Sequence, residues 1–174
     1  MLLFLAACAR VHGPAPGEAP PLSDQAPSLL DGPGAVTSGA PLHVLDESAL
    51  AALLANDGAE PLVVNFWATW CGPCARELDV FRVVAAEAPA ARFALVSVDA
   101  TRDRSAVLPF LAARGVALPA YHLDAADPSA VLARTVEGWP NLIPVTLVLE
   151  PGGAVRARFD GMLDETALRA ALAD

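Results

Sequence analysis

Apolar and polar residues follow two different periods along the chain from about residue 42 onward. Residues 62–67 (LVVNFW) form a nearly continuous apolar run, which is typical of a strand covered on both faces. From the cysteine pair to about residue 88, apolar residues recur at helical spacing, which predicts an amphipathic helix. The same reasoning predicts strands over 93–98, 117–123, 145–149 and 155–159, and helices over 46–56, 103–114, 129–136 and 164–173.

The order of these elements predicts the fold class. Strands that alternate with helices favour a parallel sheet whose strands are joined by crossover helices. Gly152 and Gly153 separate the last two predicted strands, so a hairpin should add antiparallel strands to that sheet. We therefore expect an α/β domain with a central mixed β-sheet flanked by helices on both faces.

The first 41 residues differ from the rest in composition. Residues 1–7 (MLLFLAA) resemble the end of a signal peptide, and residues 5–8 (LAAC) resemble a bacterial lipobox, whose cysteine carries a diacylglycerol. No Lys or Arg precedes Cys8, so the signal is degenerate or its start is truncated; the alternative is an accidental apolar start with a buried cysteine. Residues 8–41 are rich in Pro, Gly, Ala and Ser, which predicts a disordered tether between a lipidated Cys8 and a domain over 42–174.

Charge and cysteine content narrow the function classes. The net charge is -9 and the pI is about 4.6, and such an acidic surface repels phosphate backbones, so we expect no nucleic acid partner. After the N-terminus, no stretch approaches the roughly 20 apolar residues of a spanning helix. The three cysteines are too few for a disulfide framework. Separately, we expect the protein to be a monomer.

Cys71 and Cys74 form a C-x-x-C motif where a predicted strand gives way to a predicted helix. At a helix N-terminus, unpaired N–H groups and the macrodipole favour an anion, which lowers the pKa of a thiol and produces the nucleophilic thiolate. The three-residue offset returns the second sulfur to the first turn, so the pair can close and reopen a disulfide by exchange. Pro73 in that turn sacrifices no helical hydrogen bond.

Two other uses of a C-x-x-C motif fit this chain less well. A zinc site needs about four ligands, and the three histidines show no paired spacing, so we expect neither a metal nor another cofactor. A purely structural disulfide would gain little because so short a loop hardly constrains the unfolded chain.

Three segments resemble one family. Residues 66–74 (FWATWCGPC) resemble the active-site segment of the thioredoxin superfamily, and 65–71 more closely resemble the TlpA/ResA group of membrane-anchored reductases of cytochrome c maturation. Residues 143–146 (IPVT) resemble the family's cis-proline segment, and 98–124 resemble the extra helix and strand that the TlpA group carries. The resemblance covers roughly 42–174.

The resemblance implies a thioredoxin-like fold and assigns roles around the cysteines. From their positions, Cys71 at the helix end should be the exposed nucleophile and Cys74, drawn under the first turn, the buried resolving thiol. Pro144 should follow a cis bond that places the backbone of Ile143 beside Cys71, the alternative being an ordinary trans proline. The expected substrate-binding residues are Trp70, Gly72, Pro73, Ile143 and Pro144, although Trp70 could instead pack in the core. Trp67, in the strand, should lie partly in the core.

Two positions depart from the thioredoxin pattern. Cytoplasmic thioredoxins carry a buried Asp where this chain has Asn65, which cannot accept a proton. Glu77 is the candidate catalytic base for Cys74, because helical side chains lean toward the N-terminus and the TlpA/ResA group has a Glu there. The alternative is an ordinary solvated glutamate. Asp79 stands where the family has a kinking proline, which leaves the shape of the helix open.

The predicted function is a protein-disulfide reductase, a thiol:disulfide oxidoreductase that keeps exported protein thiols reduced, with apocytochrome c as a candidate substrate. The expected partners are protein thiols or disulfides, a membrane electron donor and, through Cys8, the membrane itself. The predicted location is the periplasmic face of a bacterial membrane, or alternatively the soluble periplasmic or secreted fraction. Two alternatives stay open: an oxidant or isomerase of disulfides, and a non-enzymatic binding module.

Overall fold

The structure is a computed structural model that describes residues 41–173. The predicted signal peptide, Cys8 and nearly all of the predicted tether lie outside these residues. The strands are β1 (Leu42–Leu45), β2 (Leu62–Trp67), β3 (Arg92–Ser97), β4 (Ala120–Leu123), β5 (Val145–Leu149) and β6 (Val155–Asp160). The α-helices are α1 (Glu47–Leu54), α2 (Gly72–Glu87), α3 (Val107–Ala112), α4 (Pro128–Thr135) and α5 (Glu165–Leu172). Among these helices, none is long and apolar enough to cross a membrane.

The strands form one mixed sheet in the order β1-β4-β3-β2-β5-β6. The pairs β1–β4, β4–β3 and β3–β2 are parallel, whereas β2–β5 and β5–β6 are antiparallel. The predicted α/β fold with a central mixed sheet is confirmed. The segment that resembled the TlpA-type insertion supplies α3 and β4, and β4 enters the sheet between β1 and β3.

Helices cover both faces of the sheet. Because strand side chains alternate between faces, Val63 and Trp67 of β2 pack with α2, α3 and α5, whereas Val64 and Phe66 pack with α1 and α4. Every residue of β2 is buried, as the apolar run predicted. The polar side chain of Asn65 therefore lies inside the protein, on the face that α2 covers.

Aspartates cap three of the helices. The side chains of Asp46, Asp127 and Asp164 accept hydrogen bonds from backbone N–H groups in the first turns of α1, α4 and α5, at 2.7, 3.0 and 2.8 Å. Each such cap contributes about 1 kcal/mol to stability. The cap at Asp164 confirms the predicted start of the last helix.

One predicted helix had the wrong bounds, and one strand was not predicted. The helix expected over 103–114 is a 3-10 helix over Thr101–Ala106 followed by α3, because Pro109 has no N–H to donate and is tolerated only in a first turn. The strand β1 was missed, because four residues carry too little periodicity and its partner β4 lies far along the chain.

Candidate functional site

Cys71 and Cys74 form a disulfide at the start of α2, with an S–S distance of 2.10 Å and a Cα–Cα distance of 5.2 Å. Cys71 is the N-cap of the helix, and its Sγ accepts the backbone N–H of Cys74 at 3.2 Å. Cys71 is 6% exposed and Cys74 is 1% exposed. The structure thus leaves Cys71 as the more accessible sulfur, although it is more enclosed than the sequence suggested.

A short turn carries the chain from β2 into the cysteine motif. Val98 donates its N–H to the carbonyl of Trp67 at 2.8 Å, and Cys71 donates its N–H to the carbonyl of Ala68 at 3.1 Å. Gly72 and Pro73 follow as exposed residues of the first helical turn. The turn therefore presents the Gly-Pro pair to solvent while both cysteines stay largely covered.

The segment before β5 approaches the disulfide from the other side. The Ile143–Pro144 peptide bond is cis, as predicted, and Pro144 is buried. The carbonyl oxygen of Ile143 lies 4.0 Å from Cys71 Sγ. A backbone carbonyl therefore lies next to the more accessible sulfur, and the residue that carries it, Ile143, is half-buried.

Three exposed apolar side chains belong to the segments around the disulfide, and we call them the apolar rim. Trp70 is 69% exposed, Met162 is 54% exposed and Leu142 is 43% exposed. The guanidinium of Arg76 contacts the Met162 sulfur at 3.5 Å, which links α2 to the segment after β6. The alternative of a core position for Trp70 was wrong, whereas Trp67 is fully buried.

Glu77 is only 1% exposed and lies on the inner face of α2. Its carboxylate accepts hydrogen bonds from the N–H of Leu163 at 3.2 Å, from Asn65 Nδ2 at 3.4 Å and from Thr146 Oγ1 at 3.4 Å. Burial raises the pKa of Glu77 to about 7, because the three hydrogen bonds to the carboxylate offset only part of the desolvation. The alternative of an ordinary solvated glutamate was therefore wrong.

The helix that carries Glu77 is continuous. Asp79, which stands where the family has a kinking proline, lies exposed on α2 and pairs with Arg82 at 3.7 Å. Its replacement of proline therefore leaves α2 as one helix from Gly72 to Glu87.

Two features of this site were missed from the sequence. Leu163, which holds Glu77 through its backbone, carries no sequence signal because any residue except proline offers an N–H. The buried carboxylate of Asp99, which follows β3, accepts hydrogen bonds from Thr69, one residue before Trp70. Polar residues within apolar runs, such as Asn65 and Thr146, were the available clue to buried polar contacts. Over residues 41–173, no three His, Cys, Asp or Glu side chains form a group that could hold a metal.

Comparisons with known proteins agree with this geometry. The Thioredoxin family model matches residues 42–111. A thiol:disulfide interchange protein DsbE homolog from Paracoccus denitrificans is 31% identical over 101 residues, which cover 58% of this chain and 51% of that protein. The chain spans about half the length of this relative. In two further relatives, the matched segment covers 41% and 11% of the relative's own length.

Solved structures show the same fold. A putative thiol:disulfide interchange protein DsbE from Chlorobium tepidum superposes with a TM-score of 0.52 at 25% identity, covering 68% of this chain and 84% of that one. A DsbF homologue from Corynebacterium diphtheriae superposes with a TM-score of 0.57 at 22% identity, covering 69% and 74%.

The sheet order, the cysteine pair at the start of α2 and these matches together define residues 42–173 as a thioredoxin-fold domain. Within that fold, its neighbours in sequence and in structure include thiol:disulfide interchange proteins of the DsbE type.

Proposed function

We propose that the protein is a thiol:disulfide oxidoreductase that exchanges electrons with other proteins through Cys71 and Cys74. The observation that carries the proposal is the cysteine pair at a helix N-terminus, in which Cys71 is the more accessible sulfur and accepts the N–H of Cys74. That N–H and the helix dipole stabilise a negative charge on Cys71 when the disulfide opens. Cys71 is thus equipped to be the attacking sulfur.

The exchange takes place in two balanced steps. In the first, the Cys71 thiolate attacks a partner disulfide, a Cys71–partner bond forms, and the released partner sulfur takes up a proton. In the second, Cys74 loses its proton and attacks Cys71 Sγ, and the second partner sulfur leaves as a thiol. Two electrons and two protons thereby pass to the partner, and the protein ends as the Cys71–Cys74 disulfide.

We assign Glu77 the role of the base that receives the proton of Cys74. Both residues lie buried on the inner side of α2, three positions apart, where water has little access. A group whose pKa lies near 7 can both accept and release a proton at neutral pH. Asn65 and Thr146 then act as positioning residues, because their hydrogen bonds fix the carboxylate.

The apolar rim and the cis-proline segment form the proposed contact surface for partner proteins. Trp70 of the rim, together with the exposed Gly72 and Pro73, offers apolar area on one side of the disulfide. On the other side, the carbonyl of Ile143 before Pro144 can accept a hydrogen bond from an extended partner chain. Neither feature selects a particular sequence, which suits an enzyme that acts on several proteins.

The finer assignment is a disulfide reductase in an exported compartment, anchored to the membrane through Cys8. The Gly72-Pro73 dipeptide resembles reducing thioredoxins, and the LAAC segment supports lipidation. The N-terminal segment supports a role among exported proteins, and the resemblance to the TlpA/ResA group supports apocytochrome c as one candidate substrate and an unidentified membrane protein as the electron donor.

The deciding experiment combines insulin reduction with a measured reduction potential. A reductase should reduce insulin in the presence of dithiothreitol and have a potential of about -250 mV or below, whereas about -120 to -180 mV would identify an oxidant or isomerase. Cys71→Ser should abolish the activity. A Cys71→Ser variant as active as an active parent would exclude exchange through Cys71. A parent that reduces insulin no faster than dithiothreitol alone would favour a binding module.

A further inference from the structure

The buried carboxylate of Asp99 ties the end of β3 to the turn before the cysteines. Asp99 is 1% exposed. The backbone N–H of Thr69 points between its two oxygens at 3.2 and 3.1 Å, and the Thr69 hydroxyl donates to Oδ1 at 2.6 Å. Both donors of Thr69 therefore converge on one side chain.

The remaining contact of this carboxylate is local. The Ser97 hydroxyl donates to Oδ2 at 2.7 Å and accepts the backbone N–H of Asp99 at 3.1 Å. Within residues 41–173, no basic side chain forms an ion pair with Asp99. A buried carboxylate costs free energy unless hydrogen bonds satisfy it. Moving Thr69 away would remove donors from Asp99, and that cost holds Thr69 in place.

Thr69 lies two residues before Cys71, between β2 and α2. The neighbouring backbone is fixed as well, because Cys71 donates its N–H to the carbonyl of Ala68 at 3.1 Å. The turn is therefore tied at Thr69 to the residue that closely follows β3, two positions before Cys71.

We propose that Asp99 is a positioning residue whose carboxylate fixes the turn at Thr69 and thereby orients Cys71 for attack on a disulfide. The inference rests on the proposed oxidoreductase function. Misplacing a reacting atom by about 1 Å can cost on the order of a hundredfold in rate, so a partly loosened turn should slow exchange measurably.

Three single substitutions test the proposal. Thr69→Val keeps the shape of the side chain but removes its hydroxyl donor to Asp99, and Thr69→Ser keeps the donor. Ser97→Ala removes a donor of similar length from the same carboxylate but leaves both donors of Thr69 in place. The rate of Cys71 alkylation by iodoacetamide in the reduced protein, the kcat of insulin reduction and the melting temperature are measured for each.

A positioning role and a purely structural role predict different results. With positioning, Thr69→Val lowers the alkylation rate and kcat about tenfold, Thr69→Ser stays within about twofold of the parent, and Ser97→Ala lowers the melting temperature but leaves both rates within about twofold. The proposal is overturned if Thr69→Val matches the parent in both rates, or if Ser97→Ala slows them as much.

Two further readouts keep the test decisive. If Thr69→Val does not fold, hydrogen exchange of the parent decides: a protected Thr69 amide in the reduced protein supports the anchor, and exchange as fast as in an exposed loop overturns it. A parent that reduces no insulin overturns the proposed function alone, because alkylation of Cys71 still reports the position of the thiol.

Discussion

The carboxylate of Glu77 in α2 and the backbone N–H of Leu163 meet at 3.2 Å, although 86 residues separate them in the chain. Asn65 in β2 and Thr146 in β5 donate to the same carboxylate. A buried acid on the helix that carries the cysteine pair is thus held by two strands and by the segment that leads into α5. Such a carboxylate cannot swing out to water when it ionises, which is why burial sets its pKa.

The order of the two cysteines predicts which variant traps a partner. Cys74→Ser should accumulate mixed disulfides through Cys71, because the sulfur that would release the partner is gone. Cys71→Ser is the matched control, and the more enclosed Cys74 should trap little. The measurement is non-reducing gel electrophoresis after exposure to oxidised substrate proteins. Trapping through Cys74 alone would reverse the assignment.

Glu77 should make the stability of the protein fall as pH rises. Because its folded pKa is about 7 and its ordinary value is 4.5, the native state binds more protons than the unfolded chain between these values. This contribution is complete below pH 4.5 and is lost as pH rises through about 7. Glu77→Gln cannot ionise, so above pH 7 it should be more stable than the parent by up to about 3 kcal/mol.

Urea unfolding of the oxidised proteins between pH 4 and 8.5 checks this prediction, and Glu87→Gln is the control. The hydrogen bond from Arg169 lowers the pKa of Glu87, so its removal should not relieve the loss of stability at high pH. Identical pH slopes for Glu77→Gln and the parent would contradict the prediction.

Glu77 should also govern the resolution of the mixed disulfide. Glu77→Gln leaves Cys74 without a nearby base, so release of the partner should slow by about a hundredfold at pH 7. Single-turnover reduction of a small disulfide, followed by rapid quench, separates this step from the attack by Cys71. Glu87→Gln should release the partner at the parent rate. If Glu77→Gln does so too, the proton leaves by another route.

His122 should make the protein less stable in acid. It is fully buried in β4, and neither of its ring nitrogens has a partner among the described residues. Burial lowers its pKa despite the attraction of Asp124, so the native state binds fewer protons than the unfolded chain as pH falls below 6.5. Its contribution is thus present above pH 6.5 and is lost as pH falls through the lowered value.

His122→Phe should therefore flatten the decline of stability between pH 6.5 and 5. His43→Phe is the control, because His43 is only half-buried on β1. Guanidinium unfolding at a series of pH values measures both variants. A decline as steep in His122→Phe as in the parent would assign the acid sensitivity to other groups.

Lipidation at Cys8 should decide where the protein partitions. Cys8→Ser, expressed with the natural upstream sequence, should move from the detergent phase to the aqueous phase of a Triton X-114 separation, because one cysteine carries the whole diacylglycerol. A Ser23→Ala variant in the same segment should partition as the parent does. Detergent-phase recovery of Cys8→Ser would exclude the anchor.

Local patterns in the sequence predicted much of the fold and the centre of the site. The apolar run of 62–67, the helical spacing after Cys74 and the cap at Asp164 depend on residues close in sequence, and such contacts repeat with the period of the element. The C-x-x-C motif at a helix start depends only on neighbours as well. Its chemistry was therefore readable before the structure, and so was the cis-proline segment by its resemblance.

Tertiary structure decided what depends on contacts between distant segments. Three such contacts join residues from separate elements: the pairing of β1 with β4, the hydrogen bond from Leu163 to the buried Glu77, and the hydrogen bonds from Thr69 to Asp99. A carboxylate has the same sequence letter whether it faces water or the core, and only the packing of α2 onto the sheet removes Glu77 from solvent. Because that desolvation sets its pKa, the proposed base could be suspected from its position but its titration near pH 7 could not.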